Sequence, residues 1–305
     1  MKVVVTGGAG FIGSHLVNRL VMSGYEVHVL DNLASGDAGR LHNEAILHVC
    51  DVRSEYAASR LAQIKPELIF HLAAQADVQS SIANPWLDAD TNISGTLRLL
   101  EAAKATGVRK IIFASTSGVY GALDQPLITE GDPVAPISFY ALSKLCGERY
   151  IQLYSQTFGL DYTILRYGNV YGPGQTPKGE GGVISVFGER LAQELPLNVY
   201  GDGNQTRDFI YVQDVVGANL AAMYKGHGEI LHVSTGQSTS INRLIDLLAS
   251  RLARTIIPHY HPVKAGDVYH SCLSSTKALK VLDWKAQYDM EQGLAETVKA
   301  WRLSS

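Results

Sequence analysis

Cysteine is scarce in this chain of 305 residues: Cys50, Cys146 and Cys272 are odd in number, far apart and without metal-ligand spacing. They read as reduced thiols, which points to the cytoplasm. Long apolar runs are missing too, and nothing reaches the ~18 consecutive apolar residues that mark a bilayer span. The chain enters a β-branched run almost at its first residue, so no signal peptide is expected. Positive charge is not in excess either. With 26 Lys and Arg against 29 Asp and Glu, the net charge is −3, which offers nothing to nucleic acid or to an anionic membrane. Repeats, low-complexity tracts and obvious linkers are absent. What remains, 46% hydrophobic and 18% charged residues, is an ordinary globular composition with ample length for a core, in one large domain or two closely joined ones.

Glycine, by contrast, is concentrated at one informative place. Residues 3–31 read VVVTGGAGFIGSHLVNRLVMSGYEVHVLD. Val3, Val4 and Val5 suit a strand buried on both faces. Gly7, Gly8, Gly10 and Gly13 follow, and then Phe11, Ile12, Leu16, Leu20 and Val21 recur at helical spacing until Gly24. A second strand, Val27 to Leu30, ends in Asp31. Strand, glycine turn, helix, strand and acid stand in the order that a dinucleotide requires. The glycines allow a tight turn and let a pyrophosphate approach the N–H groups at the helix N-terminus, where the dipole favours negative charge. Gly13 allows close helix–strand contact. Asp31 can accept hydrogen bonds from ribose hydroxyls and would repel a 2′-phosphate, so the expected cofactor is NAD rather than NADP.

Strand-like and helical patterns then alternate: Ile46–Cys50, Tyr56–Ile64, Leu68–Leu72, Asn92–Thr106 and Lys110–Ala114. Alternation of this kind implies βαβ units and a parallel sheet whose ligands sit beyond the carboxyl ends of the strands. Three strand ends carry polar or small residues. Asp51 could meet an adenine amino group; Leu72, Ala73 and Ala74 could make room for a dinucleotide; Ser115-Thr116-Ser117 closes another strand. Taken singly, Asp51 and Ser115 read more readily as strand-end residues bonded to nearby backbone than as functional ones. Tyr140 and Lys144 open a further helix at i and i+4, on one face. An ammonium beside a phenol lowers its ordinary pKa of about 10, and the positive charge of NAD⁺ would lower it further, so Tyr140 could serve as a general base. A surface pair is the alternative; the dinucleotide turn and the Ser-Thr-Ser strand end upstream favour the base.

The ordered motifs TGGAGFIGS, DNLASG, HLAAQADV, TNISGT, STSGVYG, YALSK, RYGNVYGP and GDGNQTRDFIYVQDV resemble the extended short-chain dehydrogenase/reductase family. Within it they are most similar to the NAD-dependent nucleotide-sugar epimerases typified by UDP-glucose 4-epimerase, over essentially the whole chain. The resemblance implies an α/β fold: a Rossmann-type doubly wound parallel sheet with a smaller mixed α/β C-terminal substrate domain. It divides the chain into 1–168, with segments returning at about 207–235, and a mainly nucleotide-sugar-binding part at 169–305. It further implies that Tyr140 is the catalytic base, that Lys144 is its partner on the nicotinamide ribose, and that Thr116 bonds the sugar's 4-hydroxyl. Around the cofactor it sets Gly7, Gly10, Phe11, Ile12 and Gly13, then Asn32, Ser35 and Gly36 beyond Asp31, then Val52 beside Asp51. Leu72 to Gln75, Asn92, Ser115 and Tyr167 complete that expectation. For the UDP-sugar it implies Asn169 and Arg207 near the diphosphate, Asn198 and Tyr200 near uracil, and Asp267 at the uridine ribose. Lys264 stands where an arginine commonly grips the diphosphate; lysine keeps the charge but not the bidentate fork. Ser271 falls where hexose size is gated, and its small side chain would admit N-acetyl sugars. No metal is implied: His259, His261 and His270 read as ordinary loop histidines.

The expected reaction is interconversion of UDP-glucose and UDP-galactose, extending to UDP-GlcNAc and UDP-GalNAc, by transient oxidation at C4. Ser117 and Gly118 follow the catalytic threonine where dehydratases carry an acidic pair, so dehydration and decarboxylation are disfavoured. A UDP-glucuronate 4-epimerase is the first alternative, with Thr176 and Lys178 as candidate donors to its carboxylate. A net-oxidising dehydrogenase and a catalytically silent NAD-binding scaffold are the others; an intact Thr116, Tyr140 and Lys144 set argues against the scaffold. The segment YGPGQTPKGEGGVIS reads as a mobile loop, with a helix Val183–Glu194 after it and Arg207–Val216 and Ile230–Val233 returning to the sheet. In similar enzymes the helices at Asn92–Thr106 and Tyr140–Thr157 build a four-helix dimer interface, so a homodimer is expected.

Overall fold

The computed structural model describes residues 1–123, 125–177, 181–263 and 268–301. Lys178, Lys264 and Asp267, singled out from the sequence, lie outside these residues, as does part of the 174–182 loop. The centre is a seven-stranded parallel sheet. Its strands are β1 (Lys2–Thr6), β2 (Glu26–Asp31), β3 (Ile46–Val49), β4 (Leu68–His71), β5 (Lys110–Thr116), β6 (Asp161–Tyr167) and Glu229–Val233. Across the sheet they run Glu229–Val233, β6, β5, β4, β1, β2, β3. From β1 the chain winds outward to β2 and β3, then crosses back to β4, so the crevice between β1 and β4 is the switch point where such sheets bind ligands.

The buried β-branched run of β1 is explained by its two faces. Val3 and Val5 join one apolar layer, with α1 (Phe11–Met22) and the helix Val212–Ala222. Val4 joins the other, with α2 (Glu55–Ile64) and the helices Gly95–Thr106 and Phe139–Phe158. Ser138 caps the long helix by accepting from the Ala141 N–H, and Gly159 at φ +74° ends it. These two ends fix where Tyr140 and Lys144 stand relative to the end of β5.

Two expectations are corrected. Of the segments expected to rejoin the sheet, only Ile230–Val233 does so. Phe209–Tyr211 instead pairs in parallel with Asn169–Tyr171 in a separate two-stranded sheet, and Val212–Val216 is helical. Val212, Val215 and Val216 are all buried at helical spacing against the core, so packing of one helix face outweighs their β preference. The helix expected from Asn92 begins with a π-helical turn, Asp90–Ser94, before the α-helix at Gly95. Two further small sheets complete the second half: Thr206–Arg207 between Thr239–Ser240 and His270–Ser271, and Asn198–Tyr200 beside His259–His261. Among the described residues no helix is long and apolar enough to cross a membrane.

Candidate active site

The glycine turn leaves no room for side chains. A Cβ on Gly7, which sits at φ +69°, would lie 2.6 Å from the Ala73 nitrogen, and one on Gly13 would lie 2.1 Å from the Gly7 carbonyl oxygen. The first clash would push apart the walls of the β1–β4 crevice; the second would push α1 off the turn. Backbone N–H groups at the α1 N-terminus are thereby open to close approach by a diphosphate. Asp31 is 7% exposed. Its Oδ2 accepts from the Ala9 N–H at 2.9 Å and its Oδ1 from the Leu33 N–H at 2.8 Å, so the carboxylate is braced against the turn. Gly36 follows closely, with its Cα facing the Ala9 side chain and Asp31 Oδ1. A glycine cradle with an adjacent braced acid fits NAD.

Farther along, Asn32 donates to Asp51 Oδ2 at 3.1 Å, and Arg53 grips both Asp51 oxygens at 2.8 Å while reaching Asp90 at 2.6 Å. The guanidinium holds the Asp51 carboxyl down at about 2. Asp51 is therefore a charged strand-end residue that also ties β3 to the π turn, which its sequence position did not reveal. Val52 is buried beneath Gly95.

On the opposite wall, Asn92 is 3% exposed. It holds the loop after β4 with both ends of its amide: Oδ1 accepts from the Gln75 N–H, while Nδ2 donates to the Gln75 carbonyl, Asp88 and Ser143. Ser143 in turn donates to the Tyr140 carbonyl at 2.9 Å. The π turn thus links the loop that carries Leu72, Ala73 and Ala74 to the first turn of the Tyr140 helix. Burial raises the Asp88 carboxyl above its ordinary range. Behind the same loop, buried His71 bridges Thr6 at 2.8 Å and Thr96 at 2.9 Å, and desolvation drops it to about 3, keeping it neutral.

At the end of β5, Thr116 Oγ1 accepts from the Gly118 N–H at 3.1 Å, which leaves its O–H able to donate. Ser115 gives its proton to Glu148 at 2.5 Å, one helical turn beyond Lys144. Glu148 is paired bidentately with Arg166 on β6 at 2.9 and 2.6 Å. Arg166 also donates to the Tyr120 hydroxyl at 2.6 Å. Tyr120 lies 2.6 Å from His232 Nε2. Since His232 Nδ1 faces the Ser274 carbonyl at 3.1 Å, that nitrogen carries the proton and Tyr120 donates to Nε2. Lys144 is 3% exposed, with Nζ 4.3 Å from the Phe113 ring centroid. Tyr140 is half-buried beside it.

Phe11, Ile12, Leu72, Ala74, Ser115, Thr116, Tyr140, Lys144, Tyr167 and Asn169 all line one cavity of about 340 Å³. Tyr167 is held there by Asn219, whose Nδ2 donates to its hydroxyl at 2.8 Å. Gly7, Gly10, Gly13, Asp31, Asn32, Ser35, Gly36, Asp51 and Val52 lie outside that lining, in the turn and at the β2 and β3 ends. Ala73, Gln75 and Asn92 are not in that lining either. Asn198, Tyr200, Arg207 and Ser271 gather instead in the small sheets, where Arg207 and Ser271 are neighbours across paired strands and His261 bonds Asn198 at 3.1 Å. Phe209, two residues beyond Arg207, lines the cavity. Sequence reasoning missed Asp77, Val78 and Gln79 in the lining, although HLAAQADV runs straight into them, and it missed Gly181 to Ile184 at the start of the helix Val183–Ala192. His261 carried no signal at all, because its partner is far away in sequence.

Residues 3–234 match the model of the NAD dependent epimerase/dehydratase family. The chain belongs to that family. A UDP-glucose 4-epimerase of Mycolicibacterium smegmatis is 41% identical over all of both chains. Among solved structures, the UDP-glucose 4-epimerase of Thermotoga maritima with UDP-glucose superposes with a TM-score of 0.96 at 43% identity over 99% of each chain. The Thermus thermophilus UDP-glucose 4-epimerase in complex with NAD does so at 0.94, with 38% identity over 100% of each. Membership makes NAD the cofactor.

Proposed function

We propose that this family member is an isomerase, an NAD-dependent 4-epimerase interconverting UDP-glucose and UDP-galactose. The observation that carries this is the shared cavity: Thr116, Tyr140 and Lys144 face the same space as Phe11 and Ile12 of the cofactor helix. The glycine cradle and Asp31 would hold NAD, which when bound supplies reversible hydride acceptance from the sugar's C4. Tyr140 takes the O4 proton and later returns it. Lys144 favours the phenolate and holds the cofactor's ribose, and Thr116 orients the 4-hydroxyl. Ser117 and Gly118 offer no further acid or base, so the oxidised sugar has no route here to lose water or carbon dioxide. Reduction from the other face needs the sugar to turn over while its nucleotide stays anchored, and Arg207 and Asn169 beside the cavity would be that anchor. The small side chain of Ser271, next to Arg207, supports acceptance of UDP-GlcNAc as well.

UDP-glucose, UDP-GlcNAc and UDP-glucuronate, each incubated with the purified protein without added NAD and followed by NMR of H1 and H4, test the reading. Conversion of UDP-glucose to its galacto epimer is the expected result. Exclusive turnover of UDP-glucuronate would assign the other substrate, and no conversion even with supplied NAD would favour a silent scaffold.

The assembly is a homodimer in this reading, and the location cytoplasmic, in keeping with three free cysteines. Support for the dimer comes from exposed apolar side chains on the helix Phe139–Phe158, where Leu153 is 55% exposed, Leu142 47% and Phe139 46%, and from Trp86, 80% exposed, on the short helix Pro85–Ala89. The helix Gly95–Thr106 contributes only the half-buried Leu97. Light scattering after gel filtration should give twice the chain mass, and Leu142→Arg with Leu153→Arg should give a monomer.

A further inference from the structure

An epimerase must keep its cofactor through each cycle, and two cross-links outside the cavity bear on how. After Asp31 the chain folds back over the glycine turn, where the Asp37 N–H donates to the Ala9 carbonyl at 2.9 Å. It then forms a single 3₁₀ turn, Ala38–Arg40, alongside α1. Asn18 of α1 fixes that turn by donating to the Arg40 carbonyl at 2.9 Å and accepting from the His42 N–H at 2.7 Å. From this braced base the Arg40 guanidinium reaches a segment more than a hundred residues away and donates to the Gly174 carbonyl at 2.8 Å. Beside it, His15 Nε2 lies 2.9 Å from the Pro173 carbonyl, and His15 Nδ1 lies 3.0 Å from Gln213 Nε2. A carbonyl only accepts, so Nε2 carries the proton and Nδ1 receives the Gln213 amide. Burial lowers the His15 pKa, in keeping with that neutral form. Gly172 at φ +155° and Gly174 at φ +82° give the segment a backbone path that other residues adopt with strain.

These bonds connect two parts of the molecule that a bound dinucleotide would lie between. One is the segment flanking Asp31 and the glycine turn. The other leads from Tyr171 through Gln175 into the cavity lining. We propose that Arg40, with His15, is a cofactor-retention residue: it clasps the Pro173–Gly174 segment to the cofactor half and so slows the escape of bound NAD. The proposal rests on the epimerase reading, because only a recycled cofactor needs such retention. Arg40 Nε is also paired with Asp37 at 3.5 Å within its own turn, so its reach across to the far segment is the bond to the Gly174 carbonyl. Its donor is what matters, and its long stem is not.

The test follows release of NAD from the holoenzyme after dilution into an excess of an NAD-consuming enzyme as trap. Arg40→Met keeps the stem and removes the donor, and should release NAD about tenfold faster, as loss of one charged hydrogen bond implies. Arg40→Lys keeps a donor and should restore slow release. His15→Ala should accelerate release by a smaller factor. Wild-type release from Arg40→Met, or equally fast release from the Met and Lys variants, would overturn the clasp while leaving the epimerase reading intact. A wild-type protein purified without any NAD, yet active once NAD is supplied, would overturn the clasp alone, and one inactive even then would overturn both.

Discussion

In the function proposed here, the cofactor half and the nucleotide-sugar half would each hold a charged diphosphate, by different physical means. In the first, a short contiguous stretch does the work: Gly7 and Gly13 make the turn, α1 supplies the N–H groups, and Asp31 is braced by Ala9 and Leu33. In the second, strand pairs between distant segments set Arg207 beside Ser271 in one small sheet and Asn198 beside His261 in another. A local site is fixed by backbone sterics and tolerates almost no change of side chain. An assembled site depends on pairing and can vary its residues, which suits a family that keeps one cofactor and changes its sugars.

The comparison breaks most visibly at the cavity where the halves meet. Tyr140→Phe should lower kcat by about 10²–10⁴-fold, the usual worth of a general base, with bound NAD unchanged when released by heat and quantified. Near-normal turnover would remove Tyr140 from the reaction. Gly13→Ala tests the local site, since its methyl would meet the Gly7 carbonyl. It should cost about 1–3 kcal/mol by overpacking, read from urea midpoints, and should strip the protein of NAD. Arg207→Ala tests the assembled one. It should raise the KM for UDP-glucose by about tenfold, in line with loss of a charged hydrogen bond, and leave NAD content as it was.

Acid tests the fold around the site instead. His71 and His232 are held neutral by burial, at about 3 and about 4 against an ordinary 6.5. The unfolded chain takes up these protons below pH 6.5 while the folded one resists, so stability is fully present above 6.5 and falls as pH drops toward 4. Urea midpoints at pH 7.0, 5.5 and 4.5 should decline in that order, and His232→Asn should flatten the decline.

How far the sequence disclosed the molecule follows the same division. Gly7, Gly13 and Asp31 were legible because steric demands act between neighbours, and Tyr140 and Lys144 because one helix face joins them. The Arg53 link from Asp51 to Asp90 was not, since it joins a strand end to a π turn that no periodicity announces. Phe209–Tyr211 was misplaced because a buried apolar run reads alike in a central strand and in a two-stranded side sheet. Arg40 gave no sign of its reach to Gly174, a contact created entirely by the fold.

The central claim, that one bound cofactor takes up and returns the same hydrogen at C4, is tested most directly with UDP-[4-²H]glucose and the purified protein in NAD-free buffer. UDP-galactose with deuterium retained at C4 is the expected product. Product carrying solvent hydrogen at C4 would contradict the claim.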